Sequence, residues 1–177
     1  ASTAANFTGI ATSSLTYNVS VSSSGLGANT TYYFQVRAIN NNSVPTIFVS
    51  LGSTATLANI PASAVTTFTA VHVTSASVAW GTGGNAVNVT TYNVVMSTGS
   101  FYPNAYTGNV VLSTTPAGPF PAATLAGLVA HKTYFLFVAA LNHSGAPTPY
   151  AVLGSTIPRQ FNKATLTATA GASSGIA

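Results

Sequence analysis

Apolar and polar residues alternate along most of this chain, and the alternation has the period of a β-strand. Leu15, Tyr17, Val19 and Val21 fall on one side of an extended segment, and Thr16, Asn18 and Ser20 on the other. Ala76, Val78 and Trp80 share a face in the same way, as do Tyr92, Val94 and Met96. Successive side chains of a strand point to opposite faces, so the pattern predicts strands with one buried face. Turn sequences such as Gly81-Thr82-Gly83-Gly84 and Pro116-Ala117-Gly118-Pro119 separate the runs. No long stretch carries a helical period, and Thr and Val at this density favour strands, because a branched Cβ suits an extended backbone. The predicted class is an all-β sandwich.

The pattern is also written twice. Shifting Thr31–Thr54 forward by 102 positions makes eleven of twenty-four residues identical, with no gap. Thr31-Tyr32-Tyr33-Phe34-Gln35-Val36-Arg37-Ala38-Ile39-Asn40 meets Thr133-Tyr134-Phe135-Leu136-Phe137-Val138-Ala139-Ala140-Leu141-Asn142. Pro45-Thr46 then returns as Pro147-Thr148, and Leu51-Gly52-Ser53-Thr54 as Leu153-Gly154-Ser155-Thr156. A period near 100 is a domain length rather than a solenoid length, so the expectation is a tandem array. A weaker match at an offset of 98 sets Thr67-Phe68-Thr69-Ala70 against Thr165-Leu166-Thr167-Ala168, and residues 75–79 against 173–177.

The repeated element resembles the late strands of fibronectin type III domains. Leu128 stands six residues before Tyr134, and Leu136, Val138, Ala140 and Asn142 follow at every second position. Leu26, Tyr32, Phe34, Val36, Ala38 and Asn40 repeat that spacing. Ala76-Ser77-Val78-Ala79-Trp80 is similar to the family's second strand with its core Trp, and Thr91-Tyr92-Asn93-Val94-Val95 to its third. The resemblance implies tandem fibronectin-type-III-like β-sandwiches, one complete and one or two partial. It implies that Tyr32 and Tyr134 are tyrosine corners, with the ring buried and the hydroxyl bonded to main chain upstream. Trp80, Tyr92 and Tyr134 would then be core residues of the complete domain, and Tyr32 of the first.

The layout expected is a partial domain over residues 1–58, a complete domain over 59–160, and a tail over 161–177 that begins another repeat. Strands of the complete domain are predicted near 65–72, 75–81, 89–97, 106–113, 121–127, 133–142 and 148–156. The first copy would hold only the last four, through a match of Phe7-Thr8-Gly9 to Tyr106-Thr107-Gly108, and no counterpart of Trp80. A half sandwich exposes its inner face and an unpaired edge. The missing strands would come from a longer array of which this is a window, or from another copy of the subunit. In the second case Ala164, Leu166 and Ala168 would face a neighbour's core as a donated strand.

Composition narrows the chemistry. The chain of 177 residues has no Asp, no Glu and no Cys, and only Arg37, Lys132, Arg159 and Lys163 carry fixed charge, for a formal net charge of +4. Four scattered cations neutralise few phosphates, so nucleic acid is not an expected partner. The lack of acids fits a secreted structural protein with a surface of Ser, Thr and Asn or a sheath of sugar. It also fits side chains assigned from density in which carboxylates are faint; an intact mass distinguishes the two. No apolar run has the length of a spanning helix. No charged and apolar leader opens the sequence, so any secretion signal is expected to be already removed.

Paired carboxylates for acid–base work are absent, and a Ser–His–Asp arrangement lacks its orienting acid. His72, His131 and His143 have no Cys or carboxylate to complete a metal shell, and read as surface histidines. Gly83-Gly84 reads as a turn, since no Lys-Ser/Thr or helix follows it. Phe101, Tyr102, Tyr106 and Phe120 read as core or interface aromatics before a sugar platform. Six Asn-x-Ser/Thr sequons are candidate glycan acceptors: Asn6, Asn18, Asn29, Asn41, Asn88 and Asn142. Asn18, on a polar face, and Asn29, in a turn, are expected to be reachable.

These readings converge on a non-enzymatic, cofactor-free structural protein. It would be a subunit or segment of an extracellular or cell-surface filament, with self-association into a homopolymer as its main partnership and strand donation as one route. The alternative is a non-catalytic adhesion or carbohydrate-binding spacer of a larger secreted protein. Fold alone does not choose between them.

Overall fold

The computed structural model describes residues 1–10, 12–100, 110–115 (main chain only) and 121–159. Those residues form antiparallel strands and no helix: β1 (Thr31–Val36), β2 (Val49–Ala55), β3 (Ala62–Val71), β4 (Ser75–Gly81), β5 (Thr91–Ser97), β6 (Val110–Thr115), β7 (Ala122–Ala126), β8 (Tyr134–Leu141) and β9 (Ala151–Thr156). β3, β4 and β7 make a three-stranded sheet in the order β3-β4-β7, and the order β6-β5-β8-β9 makes a four-stranded one. β1 and β2 form a separate two-stranded sheet.

The two larger sheets pack face to face. Ala76, Val78 and Trp80 from β4 and Leu125 from β7 meet Tyr92, Val94 and Met96 from β5. Tyr134, Leu136, Val138 and Ala140 from β8 and Leu153 from β9 complete the layer. Trp80 is 3% exposed, and its ring meets Tyr92 edge-on at 5.4 Å between centroids. Such a T-shaped pair sets the positive edge of one ring against the negative face of the other. The indole Nε1 of Trp80 is buried and has no hydrogen-bond partner among the described residues. β8 is buried on both faces, since Phe137 and Ala139 point away from the inter-sheet core and are 1% and 0% exposed. The near-continuous apolar run Tyr134–Leu141 is what a strand covered on both sides requires.

β1 and β2 reproduce β8 and β9 residue for residue. Tyr32↔Thr54, Phe34↔Gly52, Gln35↔Ser50 and Val36↔Val49 become Tyr134↔Thr156, Leu136↔Gly154, Phe137↔Val152 and Val138↔Ala151. Both ladders skip one residue at the same place, leaving Leu51 and Leu153 as the bulged residues. The following loops match as well. Asn40 Oδ1 accepts the Asn42 and Val44 N–H groups at 3.0 and 2.9 Å, and Asn142 Oδ1 accepts those of Ser144 and Ala146 at 3.0 and 2.8 Å. Gly27 N–H donates to the Tyr32 hydroxyl at 2.9 Å, as Val129 N–H does to that of Tyr134.

Two expectations are corrected. The described residues of 1–58 hold two strands, not four, and Leu15–Val21 forms no strand despite its alternation. Tyr17 and Val19 are fully exposed there. The reason is visible in the sandwich, where β7 exists by pairing with β4 and β6 by pairing with β5. In the first copy the counterparts of β4 and β5 are missing, so only the two strands that pair with each other form. One fragment of the β5 position is present. Ser2 exchanges main-chain hydrogen bonds with Tyr33 at 2.9 and 2.7 Å, where Ser97 pairs with Phe135. The Oγ of each Ser accepts the N–H two residues on, from Ala4 at 3.1 Å and Gly99 at 3.0 Å. Ser2-Thr3-Ala4 against Ser97-Thr98-Gly99 was the signal for this, too short to stand out in a Ser/Thr-rich sequence.

Candidate functional site

Two neighbouring features stand out: the uncovered inner face of β1–β2, and the joint between that sheet and the sandwich. On the inner face, Val36 is 50% and Leu51 65% exposed, where the equivalent Val138 and Leu153 are 0% and 7% exposed. Gly52 has open space where its Cβ would be, whereas Gly154 has the Phe68 ring of β3 at 3.4 Å. Tyr32 is buried but lies outside the main core cluster. The same residues in the same register are core in one place and surface in the other, and the difference is that no sheet faces β1 and β2 among the described residues. On the loop and β2 side, Ile47, Phe48 and Val49 are also exposed, with the Arg37 guanidinium 4.6 Å from the centre of the Phe48 ring.

The joint is polar and built largely on main chain. Asn142 Nδ2 donates to the carbonyls of Ala55 and Thr56, at 3.1 and 3.2 Å. His143 N–H donates to Asn29 Oδ1 at 2.9 Å, and Asn29 Nδ2 donates to Thr90 Oγ1 at 3.0 Å. The linker is pinned from the other side by Asn85. Its Oδ1 accepts the Asn59 N–H at 2.8 Å, and its Nδ2 donates to the Asn59 and Thr82 carbonyls, each at 2.7 Å. Ala58 sinks into the core of the sandwich. The Gly83-Gly84 turn closes over the linker, and a Cβ at Gly83 would run into the Ile60 carbonyl. Asn85 also hydrogen-bonds Tyr92, whose pKa burial raises above 10.0, the hydrogen bond opposing that shift in part.

This arrangement corrects the glycan expectation at two sites. Asn29 and Asn142 are buried, and the Nδ2 that would carry a sugar is spent on the joint in each. A glycan at either position would break the joint open. Asn6, Asn18, Asn41 and Asn88 are exposed. His72, His131 and His143 are exposed and lie at separate places, and no group of three or more metal-binding side chains occurs among the described residues. His72 lies in the turn after β3 rather than in a strand. Phe101, Tyr102, Tyr106, Phe120 and the tail with Ala164, Leu166 and Ala168 lie outside the described residues. No helix among those residues is long and apolar enough to cross a membrane.

Three strands against four, with β4 crossing to β5, β6 back to β7, and β7 across again to β8, define a fibronectin type III-like fold. No family sequence model matches the chain, and no curated protein matches it in sequence. Solved structures similar to it are fibronectin type III domains. Module A71 of titin from human cardiac muscle is 20% identical, with a TM-score of 0.41 over 58% of this chain and 93% of that one. The domain from human fibronectin type III domain containing protein 3 is 21% identical, with a TM-score of 0.39 over 64% and 99%. The FN1–FN3 domains of chicken CNTN1 are 16% identical, with a TM-score of 0.43 over 76% of this chain and 44% of that one. At these identities the likeness says nothing of activity or partners.

Proposed function

We propose that this chain is a non-catalytic structural segment of an extracellular filament or surface appendage built from tandem fibronectin-type-III-like repeats. Residues 1–58 are the later part of one repeat and 59–160 a complete one, and the open face of the first is covered by polypeptide from a neighbouring repeat. The observation that carries this is the pair Leu51 and Leu153, identical in sequence, register and bulge, of which one is core and the other 65% exposed. A face bearing Phe34, Val36 and Leu51 beside the edge of β1, which only Ser2 pairs with among the described residues, is a template for further strands. Near-neutral surfaces let such subunits associate without charge repulsion.

The tail around Leu166 matches β3 around Phe68 in sequence. A donated strand of that register would set Leu166 over Gly52, as Phe68 sits over Gly154. Electron microscopy of the purified chain together with its intact mass tests the reading. Filaments of a subunit with the mass of this sequence support it. Monomers that bind polysaccharide would move the assignment to an adhesion or carbohydrate-binding spacer.

A further inference from the structure

The joint seen within the chain has two unused halves, one at each end of the molecule. Asn40 occupies the position of Asn142, in a loop held by the same hydrogen bonds. Its Oδ1 is engaged in the turn, but its Nδ2 has no partner among the described residues and faces solvent. The matching acceptors lie at the far end of the sandwich. Shifting Ala55 and Thr56 by the repeat offset of 102 gives Ile157 and Pro158. The Pro158 carbonyl already accepts the His131 N–H at 2.9 Å, which leaves Ile157 as the principal acceptor. Main-chain carbonyls survive any change of side chain, so the counterpart of the Ala55 acceptor is preserved although the residues differ, whereas Pro158 takes the part of Leu57, whose carbonyl accepts the Asn29 N–H at 2.9 Å. His131 stands where Asn29 stands, in the same left-handed conformation, with φ of 60° against 46°. A groove lined by Thr133, Ser155, Thr156, Ile157 and Arg159 lies at that end.

We infer that the Asn40 loop is one half of a head-to-tail contact between two copies of this chain, in which Asn40 Nδ2 donates to the Ile157 carbonyl of its neighbour. The occupant is a second copy because the only partner this loop is seen to fit, in its duplicate form, is the end of a repeat of the same kind. The contact repeats along one direction and does not close on itself, so it propagates as a filament. It rests on the filament reading above and adds to it a residue, a direction and a register.

Asn40→Asp is the discriminating variant. It keeps the Oδ1 acceptor that holds the turn and puts a negatively charged, acceptor-only oxygen in place of the donor. Its unfolding followed by Trp80 fluorescence is expected to match the parent, while the critical concentration for assembly rises roughly tenfold, the worth of a hydrogen bond or two. The absence of Cys allows a second measurement on the full chain. With a short bifunctional maleimide, Asn142→Cys/Ala55→Cys should link within one chain. Asn40→Cys/Ile157→Cys should link between chains and give a ladder in steps of 17.8 kDa on denaturing gels. Parent filaments that persist unchanged in Asn40→Asp, with the second pair giving no ladder while the first pair reacts, would overturn the contact and leave the filament reading standing. A parent chain that forms no filaments overturns both.

Discussion

Leu153 and Leu51 are the same residue in two environments, and truncating each measures what the facing sheet contributes. Leu153 is 7% exposed and belongs to the core layer between the sheets. Leu153→Ala removes three carbons, or about 2.5 kcal/mol of transfer free energy at ~0.8 kcal/mol per buried CH₂. The cavity left behind raises this to about 3–4 kcal/mol. For a domain of this size a change of 1 kcal/mol moves Tm by about 4–8 °C, so a fall of roughly 12–30 °C is expected. Trp80 is the only tryptophan and lies in this core, so its fluorescence reports the sandwich alone. Leu51, at 65% exposed, has about a third of that burial and no cavity to leave. Leu51→Ala in the dispersed chain should therefore cost less than about 1 kcal/mol, read from hydrogen exchange of the β1 and β2 amides. In assembled material the same substitution should approach the cost of Leu153→Ala. Equal, large costs in the dispersed chain would refute the claim that the face is open. A near-neutral Leu153→Ala would refute the core assignment.

Three further outcomes are expected. Gly83→Ala should cost about 1–3 kcal/mol from positive φ alone, and more from collision with the Ile60 carbonyl, as measured by urea unfolding. Burial raises the pKa of Tyr92 above its unfolded value of 10.0. The stability tied to its neutral form is therefore complete below about pH 10 and lost as pH climbs through the folded value. Thermal unfolding between pH 9 and 12 should show a steeper loss in the parent than in Tyr92→Phe. Asn142→Ala should lower the Tm of the sandwich by roughly 4–16 °C, about 1–2 kcal/mol for the lost Oδ1 bonds to the Ser144 and Ala146 N–H groups, and should also loosen the joint. Small-angle scattering should then report a broader distribution of lengths, and an unchanged distribution would show that Asn29 and Asn85 hold the joint without it.

Alternation at Ala76–Trp80, at Tyr92–Met96 and at Tyr134–Ala140 was enough to read an all-β chain and the face that each strand buries. That is because side-chain direction in a strand depends only on position along it. Tyr32 and Tyr134 hold the same place in the 102-residue repeat and make the same bond, which is local and reaches five residues upstream. What the sequence by itself did not determine were features that depend on a partner. Leu15–Val21 has as good an alternation as any strand here and forms none, because a strand exists only when a neighbour takes its N–H and C=O groups. Asn29 and Asn142 read as candidate glycan acceptors, yet distant carbonyls, a hydroxyl and a main-chain N–H engage both. Leu51 and Leu153 are indistinguishable in one dimension, and only the sheet across from Leu153, which no described residues supply for Leu51, makes one a core residue and the other a surface.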